Sequence, residues 1–278
     1  MKENLERLAA QANAALYDSV TAGEYRRGAP HLKHAVLGKL FAELAGEVYQ
    51  YAAQWAPAPK VLDLGAADGT ASALFLELGA EVTAVDVSQK QLEALRAREH
   101  RQGERLQLRC QSAQAVLEEE GPSYDVVMAT SFLHHIPDYL GLVAGAVRRL
   151  TRQGQFFFFQ DPLRYDSLPR PTLAFSQGVY YMWRLWQPDR LGGLKRWLRR
   201  QRGVYLPHCV EDNVEYHGIR NGVDQEALTA LLRGQGFDCR LVRYFSTQSA
   251  LFQAVGSRVG LENTFALIAR RRTQASHR

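Results

Sequence analysis

From Lys60 onward the chain alternates between short apolar runs and amphipathic stretches, the pattern produced by strands and helices taken in turn. Val61-Leu62-Asp63-Leu64 and Ala80–Asp86 read as the first two strands, on either side of a helix that opens near Thr70. Leu106–Cys110 and Tyr124–Thr130 follow as the third and fourth, and a helix around Tyr139–Leu150 leads to a fifth, Gly154–Pro162. The run Phe156–Phe159 inside that strand is apolar on both faces, as a sheet covered on two sides requires. Gln225–Arg233 predicts a further helix, and Asp238–Phe245 and Thr264–Arg270 the last two strands. Ahead of the core, Asn4–Leu16 and Leu32–Tyr51 have helical spacing; in the second, Leu37, Leu40, Phe41, Leu44 and Val48 recur at intervals of three and four. The alternation predicts an α/β fold, a doubly wound sheet of seven strands.

The break after the first strand carries the chemistry. Gly65-Ala66-Ala67-Asp68-Gly69 is small enough to pass close beneath a ligand, and Asp86 ends the second strand roughly 20 residues on, where an acid can bind both hydroxyls of a ribose. The nicotinamide fingerprint G-x-G-x-x-G is out of phase here, so a pyrophosphate cradle is not expected. Asp63, Gly65, Ala67 and Gly69 instead resemble the first motif of the class I S-adenosylmethionine-dependent methyltransferases, Asp-x-Gly-x-Gly/Ala-x-Gly, with one added methyl at Ala67. Acids at Asp63 and Asp68 suit a cofactor that carries a sulfonium and an ammonium and no phosphate. The Leu133-His134-His135-x-x-Asp138 stretch after the fourth strand matches one seen in many small-molecule members of that family.

The resemblance implies a Rossmann-like core with the last strand antiparallel, and S-adenosylmethionine as cofactor. It places Asp63, Gly65, Ala66, Gly69, Asp86, Val87, Ser112, Ala113 and Thr130 around that cofactor, with Tyr25 reaching it from an N-terminal lid. Ser112 stands where an acid commonly meets the adenine amino group; a serine can accept that bond without charge, with the backbone at Ala113 as a substitute. Tyr17 and Arg26 are further lid residues placed near the cofactor carboxylate or the substrate. His134 and His135 are candidate general bases, with His134 favoured because an extended segment would turn His135 to the other side. Asp161, at the mouth of the fifth strand, is the next catalytic candidate; its alternative role is an N-cap or a salt bridge to Arg164.

Length and composition bound the rest. A chain of 278 residues accommodates four segments: an N-terminal helical lid (1–54), the cofactor-binding core (55–162), a cap insertion for substrate recognition (163–221) and the close of the core (222–278). Phe175 to Trp186 is aromatic enough to line a pocket for a sizeable, partly apolar small molecule, and residues 189–202 have a basic amphipathic pattern compatible with peripheral membrane contact. The net charge of +5 is mild for this size. The charged N-terminus has no apolar signal core, so a cytoplasmic location is expected. Cys110, Cys209 and Cys239 lack C-x-x-C spacing, and His31, His34, His208, Glu211, Glu215 and His217 form no compact ligand motif, so no metal centre is expected.

The reading is therefore a methyltransferase acting on oxygen or carbon of such a molecule. A nucleic-acid methyltransferase is the runner-up, weakened because Thr130-Ser131-Phe132-Leu133 stands where base-flipping amino methyltransferases carry Asn/Asp-Pro-Pro-Tyr/Phe. A cofactor-retaining cyclase or a non-methylating binding protein is the alternative outside that class.

Overall fold

The computed structural model describes residues 2–19, 29–185 and 221–272. Seven strands form one sheet: β1 (Lys60–Leu64), β2 (Glu81–Asp86), β3 (Leu106–Cys110), β4 (Tyr124–Thr130), β5 (Leu150–Pro162), β6 (Phe237–Tyr244) and β7 (Thr264–Arg271). Their order is β3-β2-β1-β4-β5-β7-β6. Strands β1 to β5 pair in parallel, and β7 inserts antiparallel between β5 and β6. The antiparallel last strand agrees with the arrangement that the family resemblance implies.

The described helices are α1 (Lys2–Ser19), α2 (Pro30–Lys33), α3 (Ala35–Ala53), α4 (Thr70–Leu78), α5 (Gln89–Arg98), α6 (Ala113–Glu118), α7 (Tyr139–Ala146), α8 (Arg170–Leu185), α9 (Gln225–Gly234) and α10 (Ala250–Arg258). Successive side chains of a strand face opposite ways, so the four phenylalanines of β5 divide between two cores. Phe156 and Phe158 join residues of α6, α7 and α9 on one face; Phe157 and Phe159 join those of α3, α4 and α5 on the other. Burying a phenylalanine contributes about 1.5–3 kcal/mol, so this run pins β5 at the centre of the sandwich. Both sheet edges carry charge, Arg109 on β3 and Asp238, Arg240 and Arg243 on β6, which discourages pairing with another chain.

The boundaries differ from the sequence pattern in three places. The helix expected over Leu32–Tyr51 breaks at His34, whose backbone is extended at φ −104°, ψ 118° while its imidazole Nε2 lies 2.8 Å from the carbonyl of Thr247. The helix expected over Tyr139–Leu150 ends at Ala146, and Leu150 already belongs to β5. Between the last two strands, where the sequence pattern marks no helix, α10 forms, and its Gly256 leaves room for the Phe245 ring: a Cβ there would lie 2.2 Å from it.

Of the range 163–221, expected as a cap insertion, residues 163–185 and 221 are described, and they include α8. Its Phe175 ring sits 5.8 Å from Phe245 and 5.9 Å from Phe252, packing α8 against the close of the core. Residues 189–202, and Tyr25, Arg26, His208, Cys209, Glu211, Glu215 and His217, lie outside the described residues. Among the described residues no helix is long and apolar enough to cross a membrane, and no cluster of three metal-ligating side chains forms. His31 packs against Phe41 and Phe159, where burial lowers its pKa to about 4 and keeps it neutral.

Candidate functional site

The order reversal between β2-β1 and β4-β5 opens a crevice at the carboxyl ends of these strands, the place where open α/β sheets bind ligands. Three of the four non-glycine residues with positive φ among the described residues cluster there: Ala67 (47°), Ser131 (54°) and Gln160 (68°), at the ends of β1, β4 and β5. Left-handed backbone costs an ordinary residue about 1–2 kcal/mol, and such strain gathers where surrounding bonds hold the chain in a functional shape.

At β1 the holding bonds come from Asp86. One carboxylate oxygen accepts from the Ala67 N–H at 2.8 Å, and the other from the Ser88 N–H at 2.8 Å. Gly65 and Ala66 donate to the Val85 carbonyl at 2.8 and 3.0 Å, which stitches the turn to the end of β2. This explains why Ala67 serves in place of glycine: its N–H is tied to Asp86. Gly65 has no such latitude, because at φ 75° a Cβ would come within 2.1 Å of the Phe132 ring. The Asp86 carboxylate, with about four lone-pair sites, has room for a further donor from the cleft it lines. Burial pushes the Asp86 pKa up, opposed by the backbone N–H groups of Ser88, Ala67 and Val87.

A cleft of about 690 Å³, counting its open mouth, lies over this turn. Gly65, Asp86, Val87, Ser112, Ala113 and Thr130 line it, joined by Phe132, His135, Ile136 and Pro137 from the segment after β4. Its roof is α1, which presents Glu6, Ala9, Ala10, Asn13 and Tyr17 at the three-to-four-residue spacing of one helical face. The helix is anchored beside the cleft. Ser88 Oγ donates to Asp18 at 2.6 Å, Gln91 Nε2 donates to the Tyr17 carbonyl at 3.0 Å, and the Tyr17 hydroxyl lies 3.3 Å from His135 Nε2. Asn13 was not legible as a site residue in the chain; the small-residue face around it was the available signal.

Three sequence-derived cofactor residues do not line the cleft. Ala66 is buried in the core on the α3 side, and Gly69 packs against Leu95 as the left-handed N-cap of α4. Asp63 is 1% exposed and accepts from Ser72 Oγ at 2.6 Å, so it braces the first turn of α4 from below. Asp68 is likewise turned inward, accepting from Thr70 and facing Arg98. Ser112 reaches the cleft as the N-cap of α6, its Oγ already accepting from the Ala115 N–H at 3.1 Å.

The other Asp63 oxygen has no partner among the described residues, and burial raises its pKa from 3.8 to about 7, with Ser72 lowering it and Asp86 adding to the rise. Between these values the folded chain holds a proton that the unfolded chain has released, so stability falls as pH rises through the window, by up to roughly 4 kcal/mol. Asp63→Asn mimics the neutral form. Its melting temperature is expected to exceed the wild type's at pH 8 and to converge with it near pH 4; parallel melting curves across that range would contradict the assignment.

After β4, Leu133–His135 forms a single 3-10 turn, so the alternation of an extended segment does not apply. His135 edges the cleft. His134 faces Asp161 instead: one Asp161 oxygen accepts from the His134 backbone N–H at 3.1 Å and lies 2.8 Å from its Nδ1. The pairing depends on a β-bulge in which Gln160 is the extra residue, its N–H donating to the Tyr244 hydroxyl at 2.9 Å. Arg164 pairs with Asp166 and Asp224, so Asp161 is not consumed by it.

Comparison with known proteins agrees with this geometry. A family profile described as "Methyltransferase domain" matches residues 62–156. A ubiquinone biosynthesis O-methyltransferase from Pseudomonas entomophila (strain L48) is 31% identical over 188 residues, 63% of this chain and 78% of that protein. One of the same name from Idiomarina loihiensis is 31% identical over 99 residues, so the match spans 41% of its length. In structure, the plantazolicin methyltransferase BamL, determined with a triazolic desmethylPZN analog and SAH, aligns with a TM-score of 0.57 at 13% identity over 98% of both chains. A putative sarcosine dimethylglycine methyltransferase from Galdieria sulphuraria aligns at 0.53 and 16% identity, over 84% of this chain and 86% of that one. With this fold, this turn and these relatives, the chain belongs to the class I S-adenosylmethionine-dependent methyltransferases.

Proposed function

We propose that the protein methylates a hydroxyl oxygen of a sizeable, partly apolar small molecule of the kind handled in quinone biosynthesis. The observation that carries the oxygen assignment is the His134–Asp161 pair, formed between the 3-10 turn after β4 and the end of β5, with His134 next in the chain to His135 at the edge of the cleft. The relatives from Pseudomonas and Idiomarina, both O-methyltransferases, support the same acceptor atom.

The family's cofactor supplies a methyl group activated on a sulfonium. The chain's own residues bind, orient and move a proton. Asp86 takes the ribose hydroxyls with its remaining lone pairs, while Gly65 and Ala67 keep the turn low. Val87, Phe132, Ile136 and Pro137 supply the apolar walls of the nucleoside cleft. Asp161, by accepting from Nδ1, selects the tautomer in which His134 Nε2 carries the lone pair, the form that removes a hydroxyl proton. A negative carboxylate behind the ring also stabilises the imidazolium that results.

The test is release of S-adenosylhomocysteine by the purified protein, with mass detection of the methyl ether. Prenylated ring-hydroxylated aromatics serve as acceptors, and small amines of the glycine type as controls. Methyl ether formation with the aromatics supports the reading. Turnover with amines alone would overturn the oxygen assignment.

A further inference from the structure

We infer that Asn13 is a cofactor-binding residue whose amide oxygen accepts a hydrogen bond from the nucleoside half of the bound cofactor. The inference rests on the proposed use of the cleft. Asn13 lies on α1, is 8% exposed, and lines the same cleft as Asp86 and Val87. Its Nδ2 donates to the Ala9 carbonyl at 2.8 Å, one turn back along the helix, while its Oδ1 is buried with no partner among the described residues. The orientation of the amide follows from that bond, since only the nitrogen can donate to a carbonyl. A buried acceptor without a donor costs about 1–3 kcal/mol, and a donor entering the cleft that Asn13 lines would remove that cost. The donors that a nucleoside offers are its two ribose hydroxyls and the exocyclic amino group of its base.

Two features set Asn13 apart from a residue that merely holds the helix in place. The docking of α1 is provided elsewhere, by Asp18 with Ser88 and by Gln91 with the Tyr17 carbonyl. Around Asn13 the helix face is Ala9 and Ala10, small enough to let a ligand approach the amide. Ser112, which stands at the position of the family's adenine acid, already has one lone pair committed to capping α6, so an acceptor from the roof adds what the floor supplies only in part.

The experiment is isothermal calorimetry on wild type and Asn13→Ala. Alanine keeps helix propensity, and the ligand-free melting temperature is the control for folding. The ligands are S-adenosylhomocysteine, adenosine, 2′-deoxyadenosine, 3′-deoxyadenosine and purine riboside. The variant is expected to bind S-adenosylhomocysteine and adenosine about tenfold more weakly, the worth of one hydrogen bond of about 1.4 kcal/mol. At least one of the three analogues, the one lacking the donor that Asn13 contacts, is expected to bind wild type and variant equally. An unchanged affinity for adenosine, or the same loss with all three analogues, overturns the inference, because the second result marks an indirect effect of packing. Failure of the wild type to bind S-adenosylhomocysteine would instead overturn the cofactor site itself.

Discussion

Replacing His134 with alanine is expected to lower kcat by two to four orders of magnitude, the range a general base contributes, with the affinity for S-adenosylhomocysteine unchanged within about threefold. The second half of that expectation follows from geometry: His134 faces Asp161, while His135 is the imidazole that edges the cofactor cleft. Variants of Asp161 separate its two roles. Both bonds from His134 converge on one Asp161 oxygen, so asparagine can keep that oxygen in place and lose only the charge. Asp161→Asn should therefore cost less than Asp161→Ala, which also frees the ring and leaves a buried N–H without an acceptor. Single-turnover kinetics at saturating cofactor, followed across pH, reads the difference. A His134→Ala enzyme within tenfold of wild type would remove His134 from the chemistry.

The second large effect is expected at Asp86. Asp86→Ala should weaken cofactor binding by roughly two to four orders of magnitude, since each hydrogen bond to a charged group contributes about 1.5–3 kcal/mol and two ribose hydroxyls are at stake. Asparagine is no remedy here. One carboxylate oxygen accepts from Ala67 and the other from Ser88, so an amide nitrogen at either place would set donor against donor. The pH dependence has a definite sign as well. Burial raises the Asp86 pKa, so wild-type affinity should begin to fall, as pH is lowered, at a higher pH than an exposed carboxylate would dictate. Calorimetry with S-adenosylhomocysteine measures both effects, and an alanine variant of wild-type affinity would rule out the ribose contact.

Much of the sheet was legible because burial on both faces leaves a mark in the chain. The Phe156–Phe159 run reads as a covered strand, and it feeds two cores as such a strand must. The bulge at Gln160 was not legible. It is held by the Tyr244 hydroxyl, 84 residues away, and by the shifted register against β7. Without it, nothing in the chain says that Asp161 meets His134 and not Arg164. The preference for His134 over His135 had pointed to a residue now placed beside a carboxylate, but through alternation in an extended segment, and the segment is a 3-10 turn. Asp63 was read as a cofactor contact because it opens the motif; the fold turns it beneath the helix, onto Ser72.

The amino-acid sequence by itself determined the turn that meets Asp86, where the donor is proposed to bind. Gly65, Ala67 and Asp86 belong to one strand–turn–helix–strand unit, and Ala67 and Asp86 stand 19 residues apart, so their meeting is a local event that spacing can announce. The tertiary structure alone decided the rest. Ser88 finds Asp18 across 70 residues, and Tyr17 finds His135 across 118. Such meetings are set by strand order, by one bulge and by the docking of a helix, each of which depends on the packing of the whole core and not on any run of neighbouring residues.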